Sequence, residues 1–284
     1  MAAGPPTSAG SGAKTSDSVA QELPIRYACQ LCGVCIATSE FLMDAREDAA
    51  IFGRLHFEDR GDKASRTLPC PYCEQGLGIR ADGTYVLRKD RVVRRPERLE
   101  VLVCSLKQQE AAEVSPVLQE AFPHSNINTR ILLKAELRGF QLSGLRPMPD
   151  LVVVAHRNEG RVLLTDRNGF YHDVLGNAWQ QTRGNILVIL TRKDPQVNGD
   201  LYDAQLLKSL STQGDQPTVG TLGALGRVLM WDSSPSKPQQ QQLQLLTTRA
   251  YFREPSVPVH GIPGNWAPKK PQPKLAAAAW CSLL

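Results

Sequence analysis

The chain has 284 residues, of which 42% are hydrophobic and 21% are charged, and its formal net charge is +5. This length exceeds that of an ordinary single domain and predicts two folded units with tails. The mild positive charge permits a phosphate-rich partner without indicating one. No stretch approaches the roughly 20 apolar residues of a membrane-spanning helix, and the first residues contain no apolar run typical of a signal peptide. We therefore expect a protein of the cytoplasm or the nucleus.

The composition divides the chain into four segments. Residues 1–22 are rich in Gly, Pro, Ser and Ala and predict a disordered leader. Residues 23–95 contain paired cysteines and predict a zinc-binding, β-rich module. Residues 96–232 alternate apolar runs with helical patterns and predict an α/β domain, whereas residues 233–284 are rich in Pro and Gln and predict a flexible tail. The expected fold class is therefore α/β, with a small zinc module ahead of a three-layer domain and with disordered ends.

Two Cys-x-x-Cys pairs dominate the first module: Cys29 with Cys32, and Cys70 with Cys73. Each pair places two thiolates on one tight turn, and two pairs together complete the tetrahedral all-thiolate shell of a structural zinc site. Four cysteine ligands leave no coordination position for water, so the site predicts structural stabilisation and no hydrolysis. Two disulfides or thiol redox chemistry are the alternatives, which the lack of a secretory context disfavours. The nearby thiol of Cys35 could replace a ligand, although a spare buried cysteine is the simpler interpretation.

Strand signals surround the two cysteine pairs. Residues 51–57 end in an alternation of apolar and polar side chains, which is typical of a half-buried strand. Asp82 and Gly83, which stand between two apolar runs, predict a tight hairpin turn. His56 could be a metal ligand, but a single histidine on a strand pattern is better explained as an ordinary strand residue. These signals predict a small β-rich fold around the metal.

The same region resembles the Yippee and cereblon-type zinc fold over residues 26–80. Tyr27 stands just before the first cysteine pair, and Leu77 and Gly78 follow shortly after the second pair, as in that fold. The resemblance implies a binding module and not an enzyme. Some members of that fold hold a ligand in an aromatic cage, but this module contains no tryptophan to build one.

A basic segment joins the two predicted units. Its positively charged residues are Arg88, Lys89, Arg91, Arg94, Arg95 and Arg98. As a functional patch, this segment could contact phosphate, RNA or an acidic protein surface. As a solvated strand edge and linker, its charge would discourage edge-to-edge pairing of strands. We favour the second interpretation, because no aromatic residue apart from the nearby Tyr85 interleaves with the basic ones.

Five apolar runs mark the strands of the second unit. They are residues 99–104, 131–133, 151–155, 186–190 and 227–231. Continuous apolar runs of this length are typical of strands that are buried on both faces, as in a parallel sheet. The alternation of strands and helices over this region predicts a Rossmann-like, three-layer α/β domain.

Three segments between these runs are long enough for crossover helices. The first is residues 107–122, in which Ser115 and Pro116 predict a helix cap and a first-turn proline. The second is residues 169–183. The third is residues 200–212, in which Asp200 predicts the cap of an amphipathic helix.

The second half of this domain resembles a small GTPase of the Ras and Rho type over residues 150–232. Thr191-Arg192-Lys193-Asp194 is close to the family's [NT]KxD motif, with Arg where that motif has Lys. The resemblance implies that Asp194 alone could inherit the guanine-reading role. The chain has no GxxxxGK[ST] phosphate loop, and no DxxG precedes Asp150. The resemblance therefore implies a degenerate, non-hydrolysing domain that serves as a protein-binding platform.

Four polar residues of the α/β domain cluster in sequence: His156, Asp166, His172 and Asp173. Acyl transfer would need a Ser, Cys or Thr nucleophile beside a histidine, and nothing in the sequence marks one. We interpret these residues as turn residues and solvated charges.

The tail carries two features of its own. Its last four residues, Cys281-Ser282-Leu283-Leu284, match the pattern for prenylation of Cys281, and a terminal Leu favours geranylgeranyl. Because Ser282 is not aliphatic, a chance match is the alternative, and the membrane enters as a partner only if Cys281 is lipidated. The isolated aromatic residues of this tail, which are Tyr251, Phe252, Trp266 and Trp280, could be short docking motifs.

These observations predict a zinc-stabilised adaptor that acts through protein partners, without catalysis and without a small-molecule substrate. A nucleic-acid-associated protein that uses the segment from Arg88 to Arg98 is the second hypothesis. A prenylated, nucleotide-binding signalling protein is the third.

Overall fold

The structure is a computed structural model. It describes residues 24–31, 33–56, 66–71, 73–95, 98–142, 144–145, 147–158, 164–166, 169–192 and 200–252, together with Pro263 and Trp266. Within these residues the chain forms three β-sheets and five α-helices, which confirms the mixed α/β class. None of the helices in this described part is both long and apolar enough to cross a membrane. The predicted leader, residues 1–22, lies outside the described residues.

The first unit consists of short antiparallel strands. They are β1 (Arg26–Cys29), β2 (Cys35–Thr38), β3 (Leu42–Ala45), β4 (Ala49–Phe52), β5 (Thr67–Pro69), β6 (Gly76–Ala81), β7 (Thr84–Arg88) and β8 (Val92–Arg95). One sheet has the order β2-β1-β8 and the other has the order β3-β4-β7-β6-β5. Ile36, Phe52, Leu68 and Leu87 have no solvent exposure and form the centre of the core between them. The β-rich character expected of this region agrees with these strands.

The hairpin predicted at Asp82 and Gly83 is present. Both residues have positive φ, at 46° and 77°, and they connect β6 to β7 through the pair Ala81 and Thr84. A two-residue turn of this kind matches the twist of the flanking strands only when both φ angles are positive, which explains the Asp-Gly sequence. The strand expected over residues 51–57 ends early, because β4 stops at Phe52. The next residue, Gly53, leaves the strand ladder, and its N–H donates to the carbonyl of Phe41.

The second unit is a five-stranded parallel sheet with helices. Its strands are β9 (Leu99–Ser105), β10 (Ser125–Ile131), β11 (Leu151–Arg157), β12 (Ile186–Thr191) and β13 (Val228–Trp231). Its helices are α1 (Gln108–Ala121), α2 (His172–Thr182), α3 (Ala204–Thr212), α4 (Pro217–Ala224) and α5 (Lys237–Tyr251). The strand order is β10-β9-β11-β12-β13, and every neighbouring pair is parallel.

Helices cover both faces of this sheet. Helices α1 and α5 pack on one face, where their buried residues join those of the strands in one apolar cluster. Helices α2, α3 and α4 pack on the opposite face in a second cluster. Strand β12 is buried along its length, and β11 is buried as far as Ala155, because both of their faces are covered. Continuous apolar runs are what strands covered on both faces require.

Four sequence expectations in this unit are wrong in detail, and the first two concern α1 and β10. Ser115 and Pro116 do not begin a helix: they lie within α1, whose buried stripe of Ala111, Val114 and Leu118 continues past the proline. The strand expected at residues 131–133 lies earlier in the chain: Ile131 is the last residue of β10, and residues 132–133 follow the strand. That strand is the polar edge of the sheet and pairs with one neighbour only, so its sequence lacks a continuous apolar run.

The cap of α3 is Asp203 and not Asp200. The carboxylate of Asp203 accepts hydrogen bonds from the backbone N–H groups of Gln205 and Leu206, both at 3.0 Å. These are two of the donors that a helix start leaves unsatisfied. The helix therefore begins three residues later than expected.

The flexible tail predicted over residues 233–284 is wrong for residues 237–251, which form α5. Leu243, Leu246 and Ala250 recur at helical spacing and pack on the sheet. The glutamine run also contributes, because the Gln239 amide donates to the carbonyls of Leu201 and Met230. Satisfied hydrogen bonds of this kind allow a polar side chain to be buried at the edge of a core.

A buried arginine joins the two units. The guanidinium of Arg26 in β1 lies 4.1 Å from the centroid of the Tyr251 ring and donates to the carbonyl of Tyr251 in α5. It also donates to the carbonyl of Arg98 at 3.2 Å and forms an ion pair with Asp150. The hydroxyl of Tyr251 in turn donates to the carbonyl of Pro24 at 2.7 Å. The first strand is thus fixed against the last helix of the α/β unit.

Candidate metal centre

A tight turn follows Cys29 at the end of β1. The N–H of Cys29 donates to the carbonyl of Val34 at 2.9 Å, and the N–H of Gly33 donates back to the carbonyl of Cys29 at 2.7 Å. Gly33 has a φ of 72°, a conformation that glycine adopts without steric cost. These two hydrogen bonds close the backbone into a turn that begins at Cys29.

The turn at Cys70 has the same hydrogen-bond pattern. The N–H of Cys70 donates to the carbonyl of Gln75 at 2.8 Å, and the N–H of Glu74 donates back to the carbonyl of Cys70 at 3.0 Å. Glu74 has a φ of 63° and occupies the position that Gly33 has in the first turn. The two Cys-x-x-Cys segments therefore form equivalent turns, although they differ in every residue apart from the cysteines.

Three thiols converge where these turns meet. The sulfurs of Cys29, Cys70 and Cys73 all lie within 4.8 Å of one another, and those of Cys29 and Cys73 are 3.7 Å apart. The edge of a tetrahedron with metal–sulfur bonds of about 2.3 Å is about 3.8 Å, so this separation fits two ligands of one ion. It is too long for a disulfide, whose sulfurs are about 2.05 Å apart. All three cysteines are buried and free of disulfides.

The surroundings of the thiols are largely apolar. Cys29, Cys70 and Cys73 belong to the same buried cluster as Val34 and Leu77. A thiolate buried among such residues needs a positive charge beside it, because desolvation disfavours the charged form. A bound cation is the simplest source of that charge. The arrangement of the three sulfurs is suited to metal coordination.

The other thiols predicted near the site have different positions. Cys32, the fourth expected ligand, lies outside the described residues. Cys35 begins β2 with its sulfur 3.5 Å from the carbonyl of Ala37, and it is not one of the three converging thiols. His56 is also apart from the triad: its ring contacts those of Phe41 and Phe252.

The basic segment is dispersed over a turn and an edge strand. Arg88 and Arg91 both form ion pairs with Asp90, at 2.8 and 3.4 Å. The hydrogen bond from Arg88, followed by the nearby positive charges, lowers the pKa of Asp90. Lys89 donates to the carbonyl of Arg46, and Arg94 is exposed on β8. The positive charge of this segment is therefore partly neutralised within the turn itself.

The motifs predicted for nucleotide binding and lipidation are not described. Asp194 and Cys281 both lie outside the described residues. Asp150, which begins the GTPase-like segment, is buried and binds Arg26, and it also accepts from the N–H of Glu100 at 3.2 Å. Arg192, the second residue of the motif that ends at Asp194, has a φ of 63° and binds Glu113 at 3.1 Å.

A polar cluster that the sequence did not indicate lies at the carboxyl ends of β9 and β11. Ser105 donates to the buried carboxylate of Glu110, and the Tyr171 hydroxyl lies 3.4 Å from Nδ1 of His156. Burial lowers the pKa of His156 and raises that of Tyr171, so both are neutral at neutral pH. His156 is therefore a half-buried strand residue and not the turn residue that we expected.

Asp166 and His172 also form hydrogen bonds within the protein, in contrast to the solvated charges that we expected. Asp166 accepts from the hydroxyls of Thr165 and Thr218 at 2.7 and 2.6 Å, and its N–H donates to Nδ1 of His172 at 2.9 Å. Asp173 accepts from the N–H of Gly139 at 3.0 Å. These hydrogen bonds fasten the loop before α2 to the start of α4.

Comparison with known proteins does not assign a function to this site. No protein-family model matches this chain, and no curated protein matches its sequence. The function must therefore be inferred from the residues and their arrangement.

Proposed function

We propose that the protein is a zinc-stabilised adaptor that acts through contacts with other proteins and has no catalytic activity of its own. The observation that carries this proposal is the convergence of Cys29, Cys70 and Cys73 on two turns of equivalent geometry. Cys32 completes the shell, because it has the same place in the first Cys-x-x-Cys sequence as Cys73 has in the second. A complete all-thiolate shell binds zinc without an open position, and its binding energy becomes folding energy.

Zinc is proposed over other metals because of the ligand type. Tetrahedral sites with four thiolates select zinc or iron, and a mononuclear thiolate site that stabilises a small fold is most often zinc. The cysteines hold the ion and connect β1 to the turn before β6, and these two strands belong to different sheets. The metal thus stabilises the surface that the first unit presents.

The second unit supports the adaptor role in a different way. Counted from β9, its strand order is 2-1-3-4-5, which is one of the two common orders of doubly wound, Rossmann-like sheets. We propose this class for the unit, and we propose that it is a platform without nucleotide chemistry. The end of β9 carries Ser105, and Leu106 and Lys107 follow it, in place of a glycine-rich phosphate loop.

A surface suited to a protein partner lies on the first unit. Ile51, Val86 and Ile79 are aligned side by side across β4, β7 and β6. Ile79 is 46% exposed, and Met43 on the edge strand β3 is 65% exposed. Exposed apolar residues that adjoin one another on a sheet are typical of protein-contact surfaces. We propose that this row, Ile51–Val86–Ile79, contributes to partner binding.

Metal analysis of the reduced chain tests the proposal. We expect one zinc per chain in the wild type, and loss of the metal together with loss of folded β signal in Cys32→Ser and in Cys70→Ser. Cys35→Ser is the matched control and should keep both, because Cys35 is not part of the triad. Wild-type protein that folds without metal, or Cys35→Ser that loses metal as Cys70→Ser does, would contradict the assignment.

The adaptor role needs a separate measurement. Proteins that co-purify with the wild-type chain should be lost with Ile79→Asp while the zinc content stays the same. If no protein binds in a manner that depends on Ile79, and a purified nucleic acid binds with a steep salt dependence, the adaptor role is wrong and the second hypothesis is correct.

A further inference from the structure

Trp266 is inserted into a slot on helix α2. Its side chain is 1% exposed, although the tail around it was predicted to be flexible. The slot exists because α2 has glycine at position 176: a Cβ there would lie 2.6 Å from Nε1 of the indole. The His172 ring, one helical turn earlier, lies against the indole at an angle of 48°, with the ring centroids 5.3 Å apart. The helix therefore presents a shaped recess and an aromatic surface to a single tryptophan.

The walls of this recess are held by residues other than the tail. Asp173 accepts from the N–H of Gly139 at 3.0 Å, and Asn177 accepts from the N–H of Leu142 at 2.8 Å. These two side chains lie one turn apart on α2 and fasten the segment 139–142 alongside the helix. The orientation of His172 is fixed independently by the hydrogen bond that its Nδ1 accepts from Asp166. The recess is consequently complete without Trp266.

The occupant is a short turn. The N–H of Trp266 donates to the carbonyl of Pro263 at 2.9 Å, so a Pro-x-x-Trp turn presents the indole. A cavity of about 190 Å³ remains beside the indole, between α2 and the segment 139–141. A rigid aromatic anchor that enters a preformed, desolvated slot is typical of a peptide hot spot. Other atoms of a bound peptide can use the adjoining space.

We propose that this recess, formed by residues 139–142 together with His172, Gly176 and Asn177, is a peptide-binding site for a Pro-x-x-Trp turn. In the structure the chain's own Trp266 occupies it. The same segment supplied in trans competes for the site, because the walls do not depend on the tail. The proposal does not rest on the metal centre or on the adaptor function.

The test uses a fluorescent peptide that covers residues 259–270 and measures its anisotropy on adding full-length chain. The Trp266→Ala chain has an empty recess and binds the peptide saturably. The wild-type chain binds the peptide at least about tenfold more weakly than the Trp266→Ala chain does, because its tethered Trp266 competes at a high effective concentration. A peptide in which Trp266 is replaced by alanine does not bind either chain.

The controls separate the slot from the remainder of α2. In the Trp266→Ala chain, Gly176→Leu fills the slot and abolishes peptide binding. Gly176→Ala also weakens peptide binding. Because alanine has a higher helix propensity than glycine, this variant is expected to fold. Gln181→Ala, on the exposed side of α2, leaves binding unchanged. Absence of saturable binding to a Trp266→Ala chain with a native circular dichroism spectrum overturns the proposal, as does binding that persists in Gly176→Leu.

Discussion

The guanidinium of Arg26 and the carboxylate of Asp150 form an ion pair at 3.5 Å, and both side chains are almost fully buried, with exposures of 2% and 3%. Arg26 belongs to the first strand of the β-rich unit, whereas Asp150 precedes the central strand β11 of the α/β unit. A buried pair of this kind contributes little net stability while both partners are present. Removal of one partner leaves the other charge buried without compensation.

We therefore expect Asp150→Ala to lower the free energy of unfolding by about 3–5 kcal/mol, because Arg26 then remains charged and buried. Chemical denaturation at neutral pH measures the change. The matched control is Asp44→Ala, which removes an exposed ion pair with Arg46 and should cost no more than about 1 kcal/mol. Equal losses in the two variants would show that the pair at Arg26 is no more important than a surface pair.

The equivalence of the two cysteine turns predicts different changes in stability on substitution of Gly33 and of Glu74, which have the same place in the two turns. Gly33→Ala should destabilise the protein by roughly 1–2 kcal/mol, because a left-handed backbone conformation is costly for any residue with a Cβ. Glu74→Gly should not destabilise it, because Glu74 already has that conformation. Urea denaturation of the metal-loaded protein gives both values. A loss of stability in Glu74→Gly that equals the loss in Gly33→Ala is inconsistent with equivalent turns.

Helix α5 is predicted to be an integral part of the α/β unit. Leu243 has no solvent exposure, so Leu243→Ala should lower the free energy of unfolding by about 2–5 kcal/mol through lost burial and a cavity. Leu245, two residues further on, is 46% exposed, and Leu245→Ala should have little effect. Denaturation midpoints of the two variants distinguish a packed helix from a peripheral one. If both midpoints equal that of the wild type, α5 does not contribute to the fold.

The cap of α3 can be located by substitution. Asp203→Ala should cost about 1 kcal/mol, because the N–H groups of Gln205 and Leu206 lose their acceptor. Asp200→Ala is the control and should be neutral, since Asp200 is exposed and precedes the helix. Thermal denaturation provides the comparison, and the reverse order of effects would place the cap at Asp200.

The stability of the protein should decrease in mild acid because of His156. Burial lowers the pKa of His156, with Glu110 nearby opposing the shift and Lys107 adding to it. The unfolded chain therefore binds the proton at a higher pH than the folded protein, and stability is lost as the pH falls through the lowered pKa. Urea midpoints between about pH 7 and about pH 5 should fall less in His156→Phe than in wild type. His124→Gln, at an exposed turn, should retain the full decrease.

The parts of the fold that the sequence predicts are those where burial is continuous. The runs at residues 99–104, 151–155, 186–190 and 227–231 all coincide with strands, because helices cover both faces of the sheet. The edge strand β10 has one neighbour and a polar sequence, so hydropathy could not reveal it. Helix α5 was also missed, because its glutamines are satisfied by carbonyls that only the tertiary fold brings near.

The candidate sites follow the same division. The spacing of Cys29, Cys70 and Cys73 predicts their convergence, because the turn geometry is local and paired Cys-x-x-Cys sequences are typical of metal ligands. The recess for Trp266 depends on Gly176, ninety residues earlier. An isolated glycine in a helical sequence pattern does not indicate that a distant side chain packs against it. Contacts of this kind can be predicted only after the helix and the tail have been placed together.

The hydrogen bond from Arg26 to the carbonyl of Tyr251 joins residues that are 225 positions apart in the chain. During synthesis at about 5–20 residues per second, the ribosome needs on the order of 10–45 s to produce Tyr251 after Arg26. For that interval, the first strand has emerged without its final anchor. The contact between the amino-terminal unit and α5 therefore forms only after α5 has left the exit tunnel.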